Sequence, residues 1–169
     1  KAINAYSKTD YPELDTLFLE FHGTSAGVAE QVQMFDEISQ EFGATGFQWA
    51  EKEEDRNKLW RARHDAYYAG LAVHPGHRGY VTDVCVPISR LADCIAETQA
   101  DIAASGLFAP VIGHVGDGNL HYNLTVPEWL ADDARRVQGL TMAIYELVAE
   151  LGGSFSAEHG VGREKRDAL

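Results

Sequence analysis

The stretch Val111-Ile112-Gly113-His114-Val115-Gly116-Asp117-Gly118-Asn119-Leu120-His121-Tyr122-Asn123-Leu124 constrains this chain more than any other. Apolar residues run into a glycine-rich knot and alternate out of it. Asp117-Gly118 is a strong two-residue hairpin signal, because a type I′ turn needs φ > 0 at both positions. With those two residues as the loop, Val115 faces Leu120 and His114 faces His121. Opposed side chains of an antiparallel pair have Cβ atoms about 4.5–5.5 Å apart. Two imidazoles at that separation can share a metal ion or bracket a small anion. Asn123 points to the same face as His121, since strand side chains alternate. The stretch predicts a site built on a rigid hairpin.

The rest of the chain reads in order as strand, helix, strand, helix, strand, helix, hairpin, helix, strand. Thr16-Leu17-Phe18-Leu19-Glu20-Phe21-His22 is predicted as a buried strand. Ser25 is the expected N-cap of a helix carrying Val28, Val32, Phe35, Ile38 and Phe42 up to Gly43. A short strand is expected over Gly46-Phe47-Gln48-Trp49-Ala50. One long helix then runs from about Glu53 to about Ala72, with Leu59, Trp60, Arg63, Tyr67 and Leu71 along one side, and His74-Pro75-Gly76-His77 breaks it. Tyr80 to Val86 is a β-branched strand ended by Pro87, and Ser89 can cap a helix that ends at Gly106. After the hairpin, Trp129 to Leu151 is an amphipathic helix stopped by Gly152-Gly153, and Ser154-Phe155-Ser156-Ala157-Glu158 is a last strand. The mixed order with a definite hairpin predicts an α+β fold, a largely antiparallel sheet covered by helices in ferredoxin-like layers. There is no GxGxxG after a first strand, so a Rossmann fold is not expected.

Charge and cysteine usage narrow the partners. A net charge of −12 without a basic run disfavours nucleic acid and anionic membrane surfaces. No stretch approaches the roughly 18 apolar residues of a membrane span. Cys85 and Cys94 are too few for a disulfide scaffold and form no CxxC, so a reducing, cytoplasmic setting is expected. The 169 residues are read as one domain. The start at Lys1 and the stop at Leu169, inside what reads as a new helix from Arg163, lead to the expectation of a piece of a longer protein.

Two further clusters carry titratable or charged groups. Glu158-His159-Gly160-Val161-Gly162 sets a carboxylate beside a histidine at a strand end, and the glycines permit the turn that would let both address one point. Glu158 with His114 and His121 makes two histidines and one carboxylate, a first-row metal set with open positions. Arg63 offers a planar fork for a carboxylate, with Tyr67 one turn on. His22, His64, His74 and His77 stand in no pattern beyond surface or loop roles.

These residues carry a resemblance. His114-Val-Gly-Asp-Gly-Asn-Leu-His121 followed by Glu158-His159-Gly-Val-Gly resembles the C-terminal domain of the FAD-linked oxidases, flavoenzymes of the vanillyl-alcohol-oxidase type. Leu59-Trp60-Arg61-Ala62-Arg63-His64-Asp65-Ala66 and Gly79 to Pro87 are similar to two more signatures of that family. Within it the chain looks most like cytochrome-type D-lactate dehydrogenases, with glycolate oxidase flavin subunits and D-2-hydroxyglutarate dehydrogenases as cousins. The likeness runs from Thr16 to Arg166.

The resemblance implies that His114, His121 and Glu158 hold zinc or manganese, that Arg63 and Tyr67 take the substrate carboxylate, and that Asn123 contacts substrate or orders the metal shell. His159 would be the general base. FAD would be bound mainly by an N-terminal domain not contained here, with Asn119 and Gly160 as candidate flavin contacts from this side. It also implies a 2-hydroxy-acid substrate and an electron acceptor such as a cytochrome, a quinone or an electron-transfer flavoprotein. A homodimer is compatible with the sequence. Val81 and Thr82 stand where relatives acting on dicarboxylates tend to place a lysine, which favours a small monocarboxylate such as D-lactate. The fragment alone is expected to be inactive. Two other readings use the same residues: a metal-dependent hydrolase, which leaves Arg63 without a role, and a non-catalytic ferredoxin-like binding module in which the histidines are structural.

Overall fold

Strand β4, Asn119–Val126, is the axis of the structure, and all eight of its residues are buried. A computed structural model describes residues 1–47, 49–50, 52–127, 131–162 and 165–166. Along β4 the side chains alternate between two chemically different faces. Leu120, Tyr122, Leu124 and Val126 enter the hydrophobic core. Asn119, His121, Asn123 and Thr125 form a row of buried polar residues on the other face. Removing a large apolar side chain from water is worth about 1.5–3 kcal/mol, so the apolar row fixes the strand's register and the polar row is carried along with it.

Both edges of β4 are paired antiparallel. On one edge lie β1, Arg78–Val81, and β2, Val84–Cys85, in the same register. On the other lies β3, Val111–His114. Two long helices cover the apolar face and pack on each other: α5, Leu91–Ser105, and α6, Ala131–Glu150. Helix α6 presents Val137, Leu140, Ile144 and Val148 at helical spacing, with Leu151 following just past its end. The polar face is approached by α4, Ala66–Ala72, whose C-terminal side brings His74 Nδ1 to 3.3 Å from Thr125 Oγ1. Ahead of these lie α1, Ala2–Ser7, α2, Ser25–Glu41, and α3, Glu53–His64. The α+β class and the antiparallel sheet match the sequence expectation. No helix among the described residues is long and apolar enough to cross a membrane.

Several local expectations are corrected. The hairpin does not turn on Asp117-Gly118 alone. Residues Val115–Asp117 form a 3-10 turn, and only Gly118 of the pair takes positive φ, at 74°. One left-handed glycine costs less than forcing Asp117 there as well. The register therefore shifts, pairing Ile112 with His121 and His114 with Asn119. A shift of two residues keeps face parity, so His114 stays on the face of His121, now diagonal to it.

Thr16–His22 is not a strand. A strand exists through its ladder, and this segment holds on by aromatic contacts instead, Phe18 to Trp60 and Phe21 to Phe35, with Leu17 and Leu19 exposed. The short strand expected over 46–50 is likewise absent among its described residues, with Phe47 and Trp49 exposed; Gln48 lies outside them. Thr24, not Ser25, caps α2, its hydroxyl accepting the Gly27 N–H. The long helix divides at Asp65, whose N–H bonds back to the Arg61 and Arg63 carbonyls. Aspartate is a weak helix former and readily ends one.

Ser89 caps nothing. It lies in a 3-10 turn, Ile88–Arg90, that precedes α5. The strand expected over 80–86 is split at Thr82-Asp83, and that over 154–158 is reduced to a bridge between Ser154 and Cys85. Ser154 Oγ then accepts the Ser156 N–H, turning the chain away from the sheet. Trp129 and most of the helix expected from Arg163 lie outside the described residues.

Candidate metal and substrate site

The polar face of β4 floors a cleft of about 670 Å³ lined by residues from distant parts of the chain. Arg63, at the end of α3, and Tyr67, in the first turn of α4, both line it. Val81 and Ile112 come from the flanking strands, and His114, His121 and Asn123 from the hairpin. His159, Gly160, Val161, Gly162 and Lys165 form the remaining wall.

An exchange in the sheet ladder orients His121. The Thr82 N–H donates to the Tyr122 carbonyl at 3.1 Å, as an antiparallel pair requires. The return bond is different: the Tyr122 N–H donates to Thr82 Oγ1 at 3.1 Å. The Thr82 carbonyl is thereby freed and accepts His121 Nδ1 at 3.2 Å. A carbonyl can only accept, so Nδ1 carries the hydrogen and Nε2 is turned to the cleft. There Nε2 stands 2.9 Å from Glu158 Oε1. His159 Nε2 is 3.2 Å from the same oxygen, and His114 Nε2 is 4.0 Å from it. The His114 and His121 rings meet edge to face with centroids 6.0 Å apart.

This donor set fits a divalent ion. With Nδ1 protonated, Nε2 of His121 meets the carboxylate either as a second N–H or as a lone pair across a shared cation. Asp83, His121, Glu158 and His159 each offer a ligand atom within 4.8 Å of the others. Imidazole and carboxylate together suit zinc, manganese or iron.

Asp83 and Lys165 were not among the candidates from sequence. Asp83, 2% exposed, accepts the Asn119 side-chain amide at 2.9 Å and the His159 backbone N–H at 2.8 Å. Lys165 Nζ donates to its backbone carbonyl at 3.0 Å. Burial by itself raises the Asp83 pKa. The His159 N–H, the Asn119 amide, Lys165 and His121 outweigh it, and the net direction is downward. Burial lowers the pKa of Arg63, while the charge of Glu158 acts to raise it. The signal for Asp83 was a lone carboxylate within the β-branched run Tyr80–Val86. Nothing in the sequence singled out Lys165.

The structure thus gathers Arg63, Tyr67, Asn123, His114, His121 and His159 around one cleft, with Glu158 against its imidazoles. Arg63 donates to the Gly113 carbonyl at 3.3 Å. Gly160 lines the cleft, whereas the Asn119 amide is directed to Asp83 and to the Val84 carbonyl. Asn119 also borders a second hollow of about 400 Å³ beside Cys85.

A profile of the family described as FAD linked oxidases, C-terminal domain, matches residues 1–169. The chain belongs to the FAD-linked oxidases. It is 44% identical over 168 residues to a probable mitochondrial D-lactate dehydrogenase of Danio rerio, covering 99% of this chain and 34% of that protein. It is 35% identical over 169 residues to the mitochondrial D-lactate dehydrogenase (cytochrome) of Arabidopsis thaliana, covering 100% of this chain and 30% of the relative. The glycolate oxidase subunit GlcD of Bacillus subtilis (strain 168) is 30% identical over 169 residues, 99% of this chain and 36% of the relative. The chain spans about a third of the length of these curated relatives. Membership of the FAD-linked oxidases agrees with the resemblance carried by the two histidine motifs.

Proposed function

We propose that this chain is the substrate- and metal-binding half of an FAD-dependent dehydrogenase of D-2-hydroxy acids, D-lactate or a similar monocarboxylate. The observation that carries the reading is the meeting, in one cleft, of the Arg63 guanidinium with His114, His121 and His159, the imidazoles against which the Glu158 carboxylate lies. A 2-hydroxy acid has an anionic end and an adjacent hydroxyl, and the cleft offers a partner for each.

Arg63 takes the carboxylate in a bidentate fork, with the Tyr67 hydroxyl beside it. His121 and Glu158, joined by His114, hold the ion. When bound, the ion would lower the pKa of a ligated hydroxyl and FAD would supply the hydride acceptor. Asn123 hydrogen-bonds the substrate or the shell around the ion. His159 receives the hydroxyl proton at Nε2, its backbone being held by the N–H bond to Asp83. Val81, at the cleft wall, offers no charge to a second carboxylate, and Lys165 is already engaged by Asp83.

The test uses the full-length protein with FAD bound. Anaerobic mixing with D-lactate and longer D-2-hydroxy acids is expected to bleach the flavin absorbance, with L-lactate inert and His121→Ala inactive. A flavin that no D-2-hydroxy acid reduces would overturn the reading.

A further inference from the structure

Asp83 is a heavily bonded, buried acidic side chain at the floor of the cleft, beside Nδ1 of His121. Its Oδ1 accepts the Asn119 amide at 2.9 Å and stands 3.7 Å from His121 Nδ1. Its Oδ2 accepts the His159 N–H at 2.8 Å and lies 3.5 Å from Lys165 Nζ. Glu158 meets the opposite nitrogen, Nε2, at 2.9 Å. A carboxylate oxygen of Asp83 lies within 4.8 Å of the ligand atoms of His121, Glu158 and His159. Both carboxylate oxygens are already taken by N–H donors. Those bonds and the nearby Lys165 ammonium commit the carboxylate to neighbouring protein groups, which leaves the half-exposed Glu158 the more available ligand.

We propose that Asp83 is a positioning residue rather than a metal ligand: beside Nδ1 of His121, with Lys165 as counter-charge, it favours the metal-binding edge of that ring and anchors both His159 and Lys165 at the wall of the cleft. The inference rests on the reading of the cleft as a metal site. Its first effect is on the ring. A negative charge facing Nδ1 favours the tautomer with hydrogen there, which leaves Nε2 basic toward the cleft. Its second effect is on the wall of the cleft. His159 is tied at its backbone and Lys165 at its side chain to the same residue, so one buried group holds the wall that carries Glu158 and His159. Lys165, 8% exposed, offsets the cost of burying the carboxylate.

The experiment measures cobalt(II) affinity and visible spectrum in the full-length, FAD-loaded protein, comparing wild type, Asp83→Asn, Lys165→Met and His121→Ala. Asp83→Asn is expected to keep one equivalent of cobalt with an unchanged ligand-field spectrum and a dissociation constant raised about 10- to 100-fold. Lys165→Met removes the second of these two ties and is expected to weaken binding in the same direction. It carries the test alone if Asp83→Asn does not fold. A purely structural Asp83 would lower Tm and leave the dissociation constant of the folded protein unchanged, and that result overturns the proposal. A cobalt spectrum that loses an oxygen donor in Asp83→Asn overturns it as well, making Asp83 a ligand. If wild type binds cobalt no better than His121→Ala, the metal reading itself fails and this inference with it; the other two failures leave that reading standing.

Discussion

Nε2 of His121 lies 2.9 Å from Oε1 of Glu158, whereas the nearest imidazole nitrogen of His114 is 4.0 Å from that oxygen. The two histidines also differ in exposure, with side chains 11% and 52% accessible respectively. A buried, preoriented ligand loses little freedom on binding an ion, and an exposed one must be ordered. His121→Ala is therefore expected to abolish stoichiometric metal retention in the full-length protein. His114→Ala should retain metal with affinity lowered by at least about tenfold, or about 1.4 kcal/mol. Elemental mass spectrometry after dialysis against graded chelator checks the order; equal losses in the two variants would refute it.

Arg63 is half-buried, with one guanidinium nitrogen on the Gly113 carbonyl. That bond fixes the plane of the fork beside the hairpin. Lysine would keep the charge and lose both the plane and the second donor. A hydrogen bond to a charged group is worth about 1.5–3 kcal/mol. Arg63→Lys should then raise KM for D-lactate roughly 10- to 100-fold, with a smaller fall in kcat. Steady-state kinetics of the full-length protein decides it. An unchanged KM would place the carboxylate elsewhere.

Alternation along β4 was legible because period two survives any shift of register by two residues. Placing His114 opposite His121 was wrong in pairing and right in face, so the cluster was found despite the wrong turn. The split at Thr82-Asp83 was not legible. It depends on one hydroxyl taking over a ladder bond from a carbonyl, a choice between two oxygens of the same residue that no pattern of polarity encodes. The role of Asp83 follows from that choice and was hidden with it. Thr16–His22 has the composition of a strand, but composition does not supply a neighbouring ladder. Asp65 was read as part of a continuous helix, and the break there left the face shared by Arg63 and Tyr67, four residues apart, turned to the same cleft.

The depressed pKa of Asp83 has a definite sign in stability. The folded state binds a proton at this carboxylate less readily than the unfolded chain, whose aspartate pKa is about 3.9. Its contribution is fully present above that unfolded value. It is lost as pH falls through it to the lower folded pKa. Asp83→Asn should accordingly show a smaller loss of stability between about pH 6 and about pH 3 than wild type. Urea midpoints at the two pH values measure the difference. Equal losses in both proteins would mean that the bonds to His159 and Asn119 do not favour the charged form.

Two glycines separate support of the fold from support of the site. Gly118 has φ of 74°, and a Cβ there would run into the Val86 carbonyl oxygen, which is backbone and cannot swing away. The left-handed conformation alone costs an L-residue about 1–2 kcal/mol, so Gly118→Ala is expected to lower Tm by several degrees. At Gly79 the backbone is ordinary, and a Cβ would lie 2.8 Å from Leu71 Cδ2 and 3.0 Å from the Tyr67 hydroxyl. Both are side-chain ends that can move, and one of them lines the cleft. Gly79→Ala should thus leave Tm nearly unchanged and raise KM for the hydroxy acid a few-fold by displacing Tyr67. Tyr67→Phe should largely remove that effect, because the double variant has no hydroxyl left to misplace. The double-mutant cycle in KM tests the coupling. Additive effects would show that Tyr67 does not transmit the change at Gly79 to the substrate.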